Sequence, residues 1–134
     1  MSRTLSSHEI AFAQTYVGTP YYMSPEIISS TPYTQASDIW ALGCVLYELM
    51  THSPPFNAKT QMALFQKIKE GTIPPLPRDR KTGARMYSHE IEEVVRACLR
   101  SSSDSRPSAE DILGCEQVAQ CRRQREIDSL SLLG

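Results

Sequence analysis

The chain has 134 residues, about one domain by size, and its 40% hydrophobic and 22% charged composition is that of a globular protein rather than a disordered one. Fourteen basic residues against fifteen acidic ones leave a net charge of -1, so no bulk attraction draws it to nucleic acid or to an anionic membrane. Cys44, Cys98, Cys115 and Cys121 form no CxxC pair, and His8, His52 and His89 stand in no ligand spacing with them, which reads as free thiols in a reducing compartment and no metal site. The opening MSRTLSSHEI lacks the apolar core of a signal peptide, and the apolar run from Ile39 to Met50 is too short to span a bilayer. A cytosolic or nuclear protein is expected.

Residues 1–14 are polar and Ser-rich, and the run TYVGTPYYMSPE from Thr15 to Glu26 is loop because Pro20 and Pro25 interrupt regular structure. Pro25 suits a first helical position and Glu26 a first turn, so a short helix through Ile27, Ile28 and Ser29 precedes the turn at Thr31-Pro32. Next, DIWALGCVLYELMT from Asp38 to Thr51 is apolar on every face except at Asp38 and Glu48. Its length and its Ala, Leu, Glu and Met favour helix over strand, and a helix apolar all round has to be buried on all sides. After the break HSPPFN, Thr60 to Glu70 carries Met62, Leu64, Phe65 and Ile68 among Lys67, Lys69 and Glu70, with Gly71 as a stop. This is a half-exposed helix whose apolar residues are read first as core.

The stretch IPPLPRDRKTGARMY, Ile73 to Tyr87, is Pro-rich and then basic, an ordered surface loop. Ser88 then caps a helix in which Ile91, Val94, Val95, Cys98 and Leu99 share a face, with Glu90, Glu92 and Glu93 early and Arg96 and Arg100 late. In SSSDSRPSAEDIL, Ser108 with Asp111 fits a capping box. Beyond Gly114 the tail is polar, carries Arg122, Arg123 and Arg125, and sustains no heptad. With no internal repeat and no strand candidate, the fold class is all-α, three to five helices joined by Pro-rich loops.

Three motifs in order carry a resemblance. GTPYYMSPE from Gly18 to Glu26, DIWALG from Asp38 to Gly43, and the Arg106-Pro107 pair within DSRPSAEDIL resemble the C-terminal lobe of a eukaryotic protein kinase. They match the end of the activation segment, the buried central helix, and the loop before the last helix. Gly-Thr-Pro before SPE resembles the serine/threonine branch, and FAQTYVGTPYYMSPE the NIMA-related kinases in particular. The resemblance implies a partial kinase C-lobe over residues 1–114, comprising the activation segment and helices F to I without the β-rich small lobe, and then a polar tail over 115–134.

The resemblance also implies roles. Thr15 stands where the activation-loop phosphosite falls, with Ser6 and Ser7 as secondary acceptors; a phosphate there adds about two negative charges that order a loop against arginines. Gly18, Thr19 and Pro20 match the loop that receives the substrate residue after the phosphoacceptor, and Glu26 is expected to pair with Arg106. Asp38 matches the residue that anchors the catalytic-loop backbone, although its position alone makes it a good N-terminal helix residue. Protein substrates or regulators would meet the activation segment and the exposed face of helix 60–70, and centrosome or spindle association comes from the resemblance alone.

The residues that perform phosphoryl transfer in this family are a glycine-rich loop, a strand lysine, an HRD-type loop and a DFG aspartate, and none of these motifs occurs in the 134 residues. Ser2-Arg3 resembles the positions immediately after a DFG motif. The expectation is therefore a chain that binds no ATP or magnesium, although a complete family member uses both, and that is catalytically incompetent alone. Its central helix is expected to lose part of its cover, exposing apolar surface that promotes self-association, and a phosphate on Thr15 to lack its arginine partner. The rival readings are a non-catalytic module, such as a short isoform that binds kinase regulators or substrates, and an unrelated helical scaffold.

Overall fold

The computed structural model describes residues 19–133, so Ser6, Ser7, Thr15 and Gly18 lie outside the described residues. Among the described residues six α-helices and one 3-10 turn occur in order: α1 (Pro25–Ile28), α2 (Gln35–Thr51), α3 (Gln61–Glu70), α4 (His89–Cys98), the 3-10 turn (Ser103–Ser105), α5 (Ala109–Leu113) and α6 (Glu116–Leu133). The patterning allowed for five helices at most; the addition is α6, in the segment read as a polar tail. Good helix formers suffice there, supported by exposed pairs such as Gln120 Nε2 to Glu116 Oε1 at 3.2 Å and Gln124 Nε2 to Asp128 Oδ1 at 3.0 Å, one turn apart.

Local chemistry fixes the helix ends. Pro25 opens α1 at a position where its missing N–H costs nothing. Helix α2 begins before Asp38, because Thr34 N donates to Ser37 Oγ at 3.3 Å and the turn closes there. Asp38 therefore sits within the first turn, exposed, rather than at the cap. Thr60 Oγ1 accepts from Ala63 N at 3.1 Å at the start of α3, and Ser88 Oγ from Ile91 N at 3.2 Å at the start of α4. Ser108 and Asp111 complete a reciprocal capping box at α5, each side chain accepting from the other's backbone N–H at 3.0 Å.

The core is built on one side of α2. Trp40, Cys44 and Tyr47 point into a cluster with Phe56, Leu64, Ile68, Leu76, Val95 and Leu99. Helices α2 and α4 approach closely because Gly43 has no side chain: a Cβ there would lie 2.7 Å from Cys98 Cβ. The opposite side of α2 departs from the all-round burial that its composition implied. Leu42, Val45 and Leu49 are 38%, 39% and 67% exposed and share a stripe with Asp38, because the described helices pack on the Trp40 side and leave this one uncovered. Met62 is likewise no core residue, at 83% exposure, because the buried pair Leu64 and Ile68 of α3 faces the other way.

Among the described residues two glycines have left-handed backbones, and their surroundings separate them. Gly71 ends α3 at φ 73°, and a Cβ there would meet Ser101 Oγ at 2.2 Å; Gly83 has φ 72° with open space around it. Gly83→Ala is expected to cost about 1–2 kcal/mol from the left-handed conformation alone. Gly71→Ala is expected to cost more, and Ser101→Ala in the same chain to return the loss to the Gly83→Ala level, as read by urea denaturation.

Candidate functional site

The segment Thr19–Glu26 enters the fold through one arginine. Arg106 Nη1 donates to Glu26 Oε2 at 2.6 Å and Nη2 to Glu26 Oε1 at 2.8 Å, a bidentate pair whose side chains are 0% and 11% exposed. Nη1 donates also to Ala36 O at 2.9 Å, Nε to Arg100 O at 2.8 Å and Nη2 to Ser101 O at 3.1 Å. A guanidinium has five N–H donors, and here each has an acceptor. Glu26 Oε2 also accepts from Ser37 Oγ at 2.9 Å, so α1, the start of α2 and the loop after α4 meet at one ion pair.

Burial raises the pKa of Glu26, but the hydrogen bonds from Arg106, its own backbone and Ser37 outweigh that and hold it below the ordinary carboxylate range. The stability it contributes is therefore present above the unfolded pKa and lost as pH falls through the folded one. Trp40 forms the floor: the Arg106 guanidinium carbon lies 5.0 Å from its ring centroid, and Phe56 stacks on it at 5.4 Å with the rings 10° from parallel. Trp40 Nε1 and Ser24 Oγ are buried without a hydrogen-bond partner among the described residues.

In front of this anchor, Thr19, Pro20 and Tyr21 line a cavity of about 450 Å³ with Ala58, Lys59, Thr60 and Gln61 at the start of α3. Thr19 is exposed and Pro20 buried. Tyr22 continues the segment, its hydroxyl donating to Glu48 Oε2 on α2. This is an open cleft between the Thr19–Tyr21 segment and the start of α3. Its lining side chains include Thr19, Tyr21, Lys59 and Thr60 but no cysteine. Burial pushes the Cys44 thiol up to about 12 and Cys98 to about 11, so both stay protonated at neutral pH. No group of three or more His, Cys, Asp or Glu among the described residues could hold a metal ion, and no helix among them is long and apolar enough to cross a membrane.

Of the residues singled out from the sequence, the structure brings Glu26 and Arg106 together and sets Thr19 and Pro20 at the cleft. It places Asp38 apart, on the exposed stripe of α2. Sequence reasoning missed Glu92. Placed with the early acidic residues of α4, it is 0% exposed and paired with Arg78 at 2.8 Å, Arg85 at 3.3 Å and Arg96 at 3.4 Å. Burial raises its pKa, yet Arg78 first and then the other arginines hold it below the ordinary range. Two signals pointed to it: its spacing of i, i+3 and i+7 with Val95 and Leu99, and the surplus arginines of the preceding loop.

Comparison with known proteins agrees with this geometry. The sequence pattern of the protein kinase domain family matches residues 1–117. The chain is 45% identical over 131 residues to the G2-specific protein kinase nimA of Emericella nidulans, covering 98% of this chain and 18% of that protein. It is 47% identical over 131 residues to the G2-specific protein kinase nim-1 of Neurospora crassa, covering 98% of this chain and 14% of that one. To the human serine/threonine-protein kinase Nek2 it is 45% identical over 107 residues, 80% of this chain and 22% of the relative. Each relative is thus far longer than the matched part. With the kinase pattern over most of its length, NIMA-type relatives across nearly all of it, and a helical lobe closed by the Glu26–Arg106 pair, the chain belongs to the protein kinase domain family, in its NIMA-related serine/threonine branch.

Proposed function

We propose that a complete protein built on this domain transfers the γ-phosphate of ATP, with magnesium, to Ser or Thr of protein substrates, and that these 134 residues supply the substrate-facing part and not the transfer chemistry. The observation that carries the reading is the braced cleft: Thr19 and Pro20 face the start of α3 while Glu26 and Arg106 hold the segment from behind. A loop that positions a substrate backbone has to be rigid, because misplacement of the acceptor hydroxyl costs rate steeply. In this reading Gly18, Thr19 and Pro20 receive the residue after the phosphoacceptor, Thr15 is the regulatory phosphosite, and Asp38 anchors the catalytic-loop backbone. The exposed Leu42, Val45 and Leu49 beside Asp38 then form the seat for the catalytic part.

The test is a transfer assay on the purified chain with radiolabelled ATP, magnesium and a Ser/Thr-rich protein substrate. No transfer above background and no saturable nucleotide binding are expected; robust magnesium-dependent transfer would show that the chain carries its own catalytic groups. A second reading, a non-catalytic module that binds kinase regulators or substrates, is favoured by Met62, 83% exposed at the first turn of α3 beside the cleft. It expects saturable binding by a monodisperse chain that Met62→Glu abolishes, whereas self-association through the α2 stripe would instead be relieved by Leu49→Glu.

A further inference from the structure

Between α3 and α4 the chain makes a tight hairpin that the kinase reading leaves without a task. Its eight residues Arg78 to Arg85 carry Arg78, Arg80, Lys81 and Arg85 against the single acid Asp79, in a chain whose net charge is -1. The hairpin is well braced: Asp79 N donates to Ala84 O at 2.8 Å and Gly83 N to Asp79 O at 2.9 Å. Asp79 Oδ1 accepts from Lys81 N at 2.9 Å, Thr82 N at 2.8 Å and Thr82 Oγ1 at 3.0 Å, so the one local carboxylate is spent on the turn.

The antiparallel bridge sets Arg78 directly opposite Arg85, an arrangement that like charges disfavour. Glu92 relieves it only in part. One fully buried carboxylate faces three guanidiniums, Arg78, Arg85 and Arg96, that remain 39%, 49% and 39% exposed. Arg96 is further satisfied by Glu93 at 2.8 Å, but among the described residues Arg78 and Arg85 keep N–H groups without an acceptor, and Arg80 and Lys81 have no acidic partner. The fold thus holds a surplus of oriented donors in place, and Met86 and Tyr87, 60% and 38% exposed, add apolar contact beside them.

We propose that this hairpin face docks a carboxylate-rich peptide segment of a protein partner, an interaction separate from the substrate cleft and independent of the phosphoryl-transfer reading. The basic groups are spread from the base of the hairpin to its tip rather than gathered in one pocket, which suits a row of carboxylates along an extended chain more than a single phosphate. Four basic side chains on a chain of slight negative charge are a small footprint for duplex nucleic acid or for an anionic bilayer.

The test is fluorescence anisotropy of a labelled peptide of alternating Glu and Ser titrated with the full chain. Saturable binding is expected that weakens as salt rises from about 50 mM to about 500 mM. The double variant Arg80→Ala/Lys81→Ala touches neither Glu92 nor the core, so it is expected to keep the wild-type melting curve and bind about tenfold more weakly. Absence of saturable binding at low salt overturns the proposal, as does unchanged affinity in the double variant. Tighter binding of the matching phosphoserine peptide, of duplex DNA or of phosphatidylserine vesicles than of the Glu peptide also overturns it.

Discussion

Arg106→Ala is expected to cost the fold about 3–5 kcal/mol, enough to remove much of the stability that a domain of this size has in total. The loss is large because truncation leaves Glu26 beside Ser37 with its charge unpaired at 11% side-chain exposure, and takes the donor from Ala36 O, Arg100 O and Ser101 O at once. Arg106→Lys is expected to recover little, since an ammonium cannot span both carboxylate oxygens and the three carbonyls in one plane. Urea denaturation monitored by circular dichroism reads the difference at neutral pH. Repeating it in acid supplies the control. Glu26 is held below the ordinary carboxylate range, so the advantage of the wild type is fully present above the unfolded pKa and shrinks as pH falls through the folded one. A gap that stays constant into acid would mean that the loss comes from packing, not from the ion pair.

Trp40→Ala is expected to cost about 3–5 kcal/mol as well, by a different route. The indole is fully buried, stacked on Phe56 at 5.4 Å and lying 5.0 Å beneath the Arg106 guanidinium, so truncation opens a cavity under the site and removes the floor of the ion pair together. Trp40→Phe separates the two contributions. It keeps a ring for Phe56 and Arg106 and removes the Nε1 donor that is buried without a partner, so its cost is expected to be about 1 kcal/mol or less. Because Trp40 and Arg106 touch, the double variant Trp40→Ala/Arg106→Ala is expected to lose less than the two single losses combined. Additivity within a few tenths of a kcal/mol would show that the ring and the ion pair are independent.

The two anchors of the lobe differ in how far they could be read. Glu26 and Arg106 are 80 positions apart, and nothing in charge or periodicity joins them; the family resemblance implied the pair, and the structure adds its five acceptors. Glu92 illustrates the opposite case. Its type and its place early in α4 fit a solvated, dipole-favourable residue, and only the return of the 73–87 loop over α4 turns it into a buried centre for three arginines. Asp38 matched a family position, but in the described residues it lies on an exposed stripe.

The sequence alone determined the run of α3, α4 and α5 and the residues that begin or end them, but not α6, read as a polar tail, nor the start of α2 ahead of Asp38. Thr60, Ser88, Ser108 and Gly71 act within one helical turn, through hydrogen bonds and backbone angles that neighbouring residues decide. Family membership was legible for a related reason, since its motifs are short and contiguous. The tertiary structure alone decided which side of α2 is covered. Apolar residues all round that helix give no direction to its burial, so the sequence could not say that Trp40, Cys44 and Tyr47 would face the core while Leu42, Val45 and Leu49 stayed exposed. Burial is a property of the neighbours that a fold assembles from distant parts of the chain, and no local pattern encodes which of them arrive.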